Sequence, residues 1–370
     1  MNTLLLMLPY LFAGFTLINI IYFGYFFRFW FFYKESTLQT FQKSETGVTI
    51  ISCAQNEAEN LPQLIDALTR QNYPVFEIIL INDHSTDGSL KLLEHSASRY
   101  KNLSVIDLKT ERGKKAGITQ AVSQAQYNNL LLIDADCVPA SANWLQFMAQ
   151  KFTEKKQIVL GYGGYRSQKK SILNKLIRFE TVFTALQYFA YAEAKNAYMG
   201  VGRNLGYTKK LFTETEGFKQ HQKHRAGDDD LFVNQNATPN NTAICINPEA
   251  FTVSEPEKSW KSWFIQKRRH VGVSHLYKKK HQLQLGLFYI SQLAFYTLVP
   301  VLWTLGFLNP WLLLLILSRE VFAFLVLRKA SLRLRERNLT LYILILEPFM
   351  ISVQMLIFIS NIVIKPQRWN

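Results

Sequence analysis

Cysteine is scarce in this chain, with Cys53, Cys137 and Cys245 the only three among 370 residues. The number is odd and no two form a CxxC pair, which excludes a disulfide framework and a thiolate zinc site and points to a reducing compartment. Negative charge is also short: 27 Asp and Glu stand against 42 Lys and Arg, a formal net charge of +15. Such an excess suits nucleic acid, an anionic membrane face or phosphate-bearing ligands. No zinc spacing or nucleic-acid motif accompanies it, so nucleic acid is not an expected partner. The runs Lys278-Lys279-Lys280 and Arg328-Lys329 stand instead beside hydrophobic stretches, which makes membrane lipids the expected neighbours. Internal repeats and low-complexity segments are absent as well.

The two ends of the chain lack charge altogether over long runs. From Leu4 to Tyr33 only Arg28 is charged, and a span needs about 20 apolar residues. Met1 to Leu8 carries no Lys or Arg, so residues 1–35 read as a retained N-terminal transmembrane helix rather than a cleaved signal. Arg28 and Lys34 place its downstream end in the cytoplasm. Residues 256–282, with Trp260 and Trp263 among lysines and arginines, read as an amphipathic interfacial segment. Three apolar stretches follow within residues 283–366: Leu285 to Leu308, Trp311 to Leu327 and Leu341 to Ile364. Glu347-Pro348 interrupts the last. A carboxylate inside a membrane is costly unless it faces protein, so a broken or re-entrant segment is expected there. Together these features describe a multi-pass protein of the cytoplasmic membrane whose middle faces the cytoplasm.

Residues 47–255 read as an α/β domain with a mostly parallel sheet. Short apolar runs, Val48 to Cys53, Glu77 to Ile81, Leu103 to Asp107 and Leu130 to Ile133, alternate with helices. Those helices are expected after a capping Asn60, over Ser89 to Arg99 and over Lys114 to Gln126. In such a sheet the ligand crevice lies at the carboxyl ends of the strands, where polar and acidic residues gather here. Asp134-Ala135-Asp136 follows the fourth run. A turn there lets both carboxylates approach one divalent cation, Mg²⁺ or Mn²⁺, which prefers hard oxygen ligands and bridges a nucleotide diphosphate. Asp83, in the stretch Asn82 to Gly88, is placed to accept from a nucleobase or ribose, although an Asx-turn with helix caps accounts for the same residues. Asn56-Glu57 ends the first strand in a similar position. Arg112-Gly113-Lys114-Lys115-Ala116-Gly117 opens a helix whose N–H groups and lysine suit a phosphate, with a solvated helix start as the alternative.

In this order, the motifs VTIISCAQNEAENL, IILINDHSTDGS, RGKKAG, LLIDADC, MGVGRNLGY, GDDDLF and QKRRH resemble those of family 2 glycosyltransferases, whose catalytic domain has the GT-A fold. The flanking apolar segments resemble the membrane-integrated branch that includes cellulose, hyaluronan and poly-N-acetylglucosamine synthases. The resemblance covers about Val48 to His270. It implies a nucleotide-diphospho-sugar donor, a glycan or lipid-linked acceptor, and polysaccharide-assembly partners as a further possibility. Asn56, Glu57, Asp83, Lys115, Asp134, Gln266 and Arg269 would meet the donor. Asp134 and Asp136 would hold the metal, with Asp136 as its main ligand. Arg203 and Asn204 would lie near the acceptor. Alignment on Asp230-Leu231 makes Asp228 the general base, but Gly227 replaces the family's Glu, so the choice between Asp228 and Asp229 stays open. His270 replaces the family's Trp and leaves the acceptor region, and any processive synthesis, in question.

The reaction so implied is inverting: a carboxylate takes the proton of an acceptor hydroxyl that attacks the anomeric carbon. Two other readings compete. One is a polyprenyl-phosphate glycosyltransferase, favoured by the basic segment and its tryptophans. The other is a catalytically silent sugar-nucleotide-binding scaffold, disfavoured by the full set of acids.

Overall fold

The computed structural model describes residues 3–35, 46–224 and 226–363. Residues 1–2 and 364–366, the extremities of the expected first and last membrane segments, lie outside the described residues. Strands are numbered in chain order: β1 (Val48–Ala54), β2 (Phe76–Asn82), β3 (Leu103–Asp107), β4 (Asn129–Leu132), β5 (Cys137–Pro139), β6 (Ile158–Leu160), β7 (Gly163–Tyr165), β8 (Leu205–Thr208), β9 (Thr242–Ile244) and β10 (Thr252–Ser254).

The chain divides into two units. The α/β unit comprises residues 34–167 and 191–256; the other comprises residues 1–33, 168–190 and 257–370. In the α/β unit a seven-stranded sheet runs in the order β3-β2-β1-β4-β8-β6-β9. The first four of these are mutually parallel, and β8 is antiparallel to both β4 and β6. Strand β1 is apolar and buried along almost its whole length, as a strand covered on both faces must be. Helices Leu61–Thr69, Ser89–Arg99 and Lys114–Gln124 connect the parallel strands, and their apolar faces close over the sheet. The register puts Ala54 opposite Asn82 and Ile51 opposite Leu132, so β1 and β2 end level and β4 stops three residues short of them, before Asp134. A smaller sheet, β5-β10-β7, stands after them.

Asn60 does not cap its helix. Its backbone is helical and its amide instead donates to the Glu57 carboxylate at 2.7 Å. Glu57 lies three residues back, within easy reach, and its own carbonyl takes the N–H groups of Asn60 and Leu61.

In the second unit, helices Thr3–Phe32, Lys279–Thr304, Pro310–Arg333 and Ile343–Val363, the last preceded by a 3₁₀ turn, are long and apolar enough to cross a membrane. The last is continuous through Pro348, which corrects the expected break. Glu347 is 1% exposed and pairs with Arg319, itself 0% exposed, with Gln292 donating to it at 3.1 Å. Arg319 also donates to Asn19 and Tyr296, both at 2.7 Å, and lies over the Phe295 ring at 4.5 Å. A carboxylate so partnered faces the helix bundle, and the helix need not break to hide it.

Helix Ile172–Glu193, read from sequence only as part of the central domain, lies almost wholly in this second unit. Its Phe183 stacks on Phe288 and its Leu186 carbonyl accepts from Trp30. Arg178 pairs with Glu336 where both are buried. Helix Trp260–Val271 is capped by Ser259, whose hydroxyl accepts from Ser262 N–H.

Candidate active site

Five segments of the α/β unit converge where the parallel strands end. Asp83 follows β2, and both its oxygens accept from the Gly113 N–H, at 3.1 and 3.0 Å. Gly113 has φ +95, a left-handed backbone that glycine adopts at little cost, and this turn aims the start of helix Lys114–Gln124 inward. Lys114 Nζ then stands 2.6 Å from Asp134 Oδ1 and 2.7 Å from Asp228 Oδ2. The first contact is a hydrogen bond; the second is an ion contact without hydrogen-bond geometry. Asp83, Asp134, Asp228 and Lys114 all act on the Cys53 thiol at the end of β1, which burial first and these carboxylates next push up to about 12. The acids that the sequence places after separate strands therefore do share one locality.

The three acids at 228–230 are not equivalent. Asp229 is the cap of helix Asp230–Asn236: its carboxylate accepts from Asp230 N–H and from Gly202 N–H, both at 2.7 Å. Burial, then Asp228 and Asp230, push its carboxyl up to about 8. Asp228 is also buried, which by itself would raise it. The Lys114 ammonium beside it wins, and its carboxyl titrates below the usual range. Burial opposes the charge of Lys114 in turn, but Asp134, Asp228 and Asp229 hold that ammonium well above the usual lysine range. The arrangement keeps Asp228 ionised and Asp229 engaged with backbone.

Asp134, Asp136 and Cys137 offer ligand atoms within 4.8 Å of one another. The Cys137 thiol is buried against Ser254 Oγ at 2.8 Å and Asp136 Oδ1 at 3.3 Å, and sulfur does not suit a hard cation. The two carboxylates do fit one. Burial and then Asp134 raise the Asp136 carboxyl, a repulsion that a divalent cation between them would relieve.

Other expected site residues fall differently. Lys115 Nζ donates to the carbonyls of His221, His224 and Ala226 at 2.8–2.9 Å. Its three protons are spent on the segment leading to Asp228, and Lys114, one residue earlier, faces the acids instead. The sequence reading missed this because at a helix start neighbouring side chains diverge by about 100°. Asn204 is 0% exposed, donates to the carbonyls of Tyr162 and Ala250, and accepts from Trp144 Nε1. It is a core residue, not an acceptor contact. Arg203 lies over the Tyr165 ring at 4.1 Å and donates to the Gly164 carbonyl, while exerting its charge on Asp136. Asn56, at φ 58, accepts from Thr86 N–H and donates its own N–H to Ser85 Oγ, so it braces the loop after β2. Glu57 is raised by burial, with Asp136 and Asp134 adding to it.

Gln266, Arg269 and His270 belong to the second unit, on helix Trp260–Val271. Gln266 Oε1 is buried with no hydrogen bond, while Arg269 and His270 are exposed. Their neighbours anchor the helix: Lys267 pairs with Glu180 at 2.7 Å, and Arg268 donates to Asn361 at 2.9 Å.

A parallel sheet in the order 3-2-1-4, with acids and a lysine gathered at its carboxyl end, defines an α/β unit of the nucleotide-binding kind. Residues 49–215 match the model of glycosyl transferase family 2. Among curated relatives, the poly-β-1,6-N-acetyl-D-glucosamine synthase of Staphylococcus epidermidis is 27% identical over 135 residues, 36% of this chain and 32% of that protein. The same synthase of Staphylococcus aureus matches over the same shares at the same identity. The match thus spans about a third of the length of these relatives. The mannosyltransferase PcManGT of Pyrobaculum calidifontis, solved with GDP-Man and Mn²⁺, shares the fold with a TM-score of 0.61 at 16% identity, over 96% of this chain and 98% of that one.

Proposed function

We propose that this protein is a membrane-embedded, inverting glycosyltransferase that moves a sugar from a nucleotide-diphospho-sugar, UDP-linked, to a glycan or lipid-linked acceptor at the cytoplasmic membrane face. The observation that carries the reading is the meeting of Asp134 and Asp228 at Lys114, with Asp83 on the N–H of the preceding Gly113. The relatives named as poly-N-acetylglucosamine synthases favour an N-acetylhexosamine as the sugar. The four long apolar helices and the basic residues flanking them favour the membrane setting and the orientation.

In this reading Asp228 is the general base. Lys114 keeps it ionised, whereas both backbone contacts of Asp229 tie that residue to the helix start. Asp228 takes the proton of the acceptor hydroxyl, the oxygen attacks the anomeric carbon, and the nucleoside diphosphate departs. Asp134 and Asp136 would hold Mg²⁺ or Mn²⁺, which when bound neutralises charge developing on the leaving diphosphate. Asp83 accepts from the nucleoside.

The test is a screen of the purified full-length protein against nucleotide sugars, GDP-mannose included, with Mn²⁺ or Mg²⁺ and candidate acceptors, measuring released nucleoside diphosphate. Tight donor binding without release or transfer under any metal would replace this reading with that of a silent binding scaffold. A lipid phosphate as acceptor is the second reading, favoured by the position of the basic helix Trp260–Val271 among the apolar helices, where Arg268 is bonded to the last of them. Transfer to a polyprenyl phosphate but not to glycans would establish it.

A further inference from the structure

Lys114 sits where a bound cation would also exert its charge. Its ammonium is 2.6 Å from Asp134, one of the two carboxylates that fit a divalent cation, and 2.7 Å from Asp228. A cation on Asp134 and an ammonium on the same carboxylate repel each other strongly in a partly buried site. The backbone of Lys114 has little freedom to yield. Asp83 holds the N–H of the preceding Gly113, and the ammonium lies close over Gly202, where a Cβ would stand 3.0 Å from it. The side chain does have an open side, being 31% exposed. An anionic diphosphate entering the same crevice offers it a new partner of the charge it prefers.

We propose that Lys114 is an internal counter-ion for the cation site. In the donor-free protein its ammonium neutralises Asp134 and Asp228, and a divalent cation gains its full hold on Asp134 only when a nucleoside diphosphate draws the lysine off Asp134, leaving it beside Asp228. Cation and nucleotide then bind with positive coupling, each tightening the other by the same factor. This rests on the reading of Asp134 and Asp136 as cation ligands beside a nucleotide-sugar site.

The probe is Mn²⁺ alone, followed by electron paramagnetic resonance of the free ion with the full-length protein in detergent, and then Mn²⁺ with UDP. Lys114→Met binds Mn²⁺ alone about tenfold more tightly or better, since one unit of like charge is removed from beside Asp134. Its coupling between Mn²⁺ and UDP shrinks accordingly. Lys114→Arg keeps the charge and the weak binding, and the exposed Lys155→Met leaves Mn²⁺ affinity unchanged. Equal or weaker Mn²⁺ binding by Lys114→Met overturns the proposal. The wild-type protein supplies an arm that does not depend on any variant folding: Mn²⁺ affinity that is the same with and without UDP also overturns it. Coupled binding in a protein that transfers no sugar would leave this inference standing while removing the proposed function.

Discussion

Lys114 and Arg319 are both cations set among carboxylates, the first in the α/β unit and the second among the apolar helices. Arg319 is fully enclosed, and it donates to Asn19, Tyr296, Glu320 and Glu347 while rings cover its faces. Lys114 keeps a third of its side chain exposed, and its contact with Asp228 lacks hydrogen-bond geometry. A saturated cluster in a dry setting resists exchange, because no partner can leave without stranding a charge. An unsaturated one at the rim of a crevice can trade partners. The same pair of ion types is therefore a fastening in one place and, in the proposed reading, an exchangeable counter-ion contact in the other.

The comparison breaks most visibly at Asp228. Asp228→Asn should lower sugar transfer by about 10²–10⁴-fold, the range for loss of a general base, with nucleotide binding intact by calorimetry. Loss of nucleotide binding alongside would move Asp228 from the chemistry to the architecture. At the other cluster, Glu347→Leu should destabilise the protein by about 3–5 kcal/mol, as removal of one partner of a buried pair does. Thermal unfolding in detergent reads this, and an unchanged melting temperature would show that the pair does not hold the helices together.

Asn204→Ala comes next, at about 1–3 kcal/mol, because it strands the Trp144 N–H and two buried carbonyls. Unfolding should register this while the acceptor KM of the folded protein stays level; a raised KM at full stability would return Asn204 to the acceptor region. A smaller effect is expected at His221, which burial first and the Lys115 charge next bring down to about 4. A histidine held neutral in the fold contributes stability that is complete above its unfolded pKa near 6.5 and is lost as pH falls through about 4. His221→Phe should flatten that part of the stability profile, and an unaltered slope would assign the acid sensitivity elsewhere.

Much of the α/β unit was legible because its signals are local. The apolar runs ending at Ile81, Asp107 and Ile133 are short and bounded by polar residues, and the structure gives β2, β3 and β4 nearly those bounds. What escaped depends on direction in space. Lys114 and Lys115 are adjacent letters with opposite fates, one turned to the acids and one to the carbonyls of residues 221–226. Asn204 resembles a polar site residue until the Trp144 indole is seen against it. Glu347 looked unpartnered because its partner Arg319 lies 28 positions earlier in a different apolar stretch, where it stands beside Glu320. Only the fold brings the two together.

Helix Ile172–Glu193 alters how this protein can be cut. The chain leaves the α/β unit after Ser167, forms most of that helix in the other unit, and returns at Tyr191 to supply β8, β9 and the acids at 228–230. No contiguous fragment carries β1 to β4 together with the acids at 228–230 without also carrying a 22-residue helix rich in phenylalanine, leucine and tyrosine. A truncation designed for solubility by trimming both termini would expose that helix to water and invite clumping.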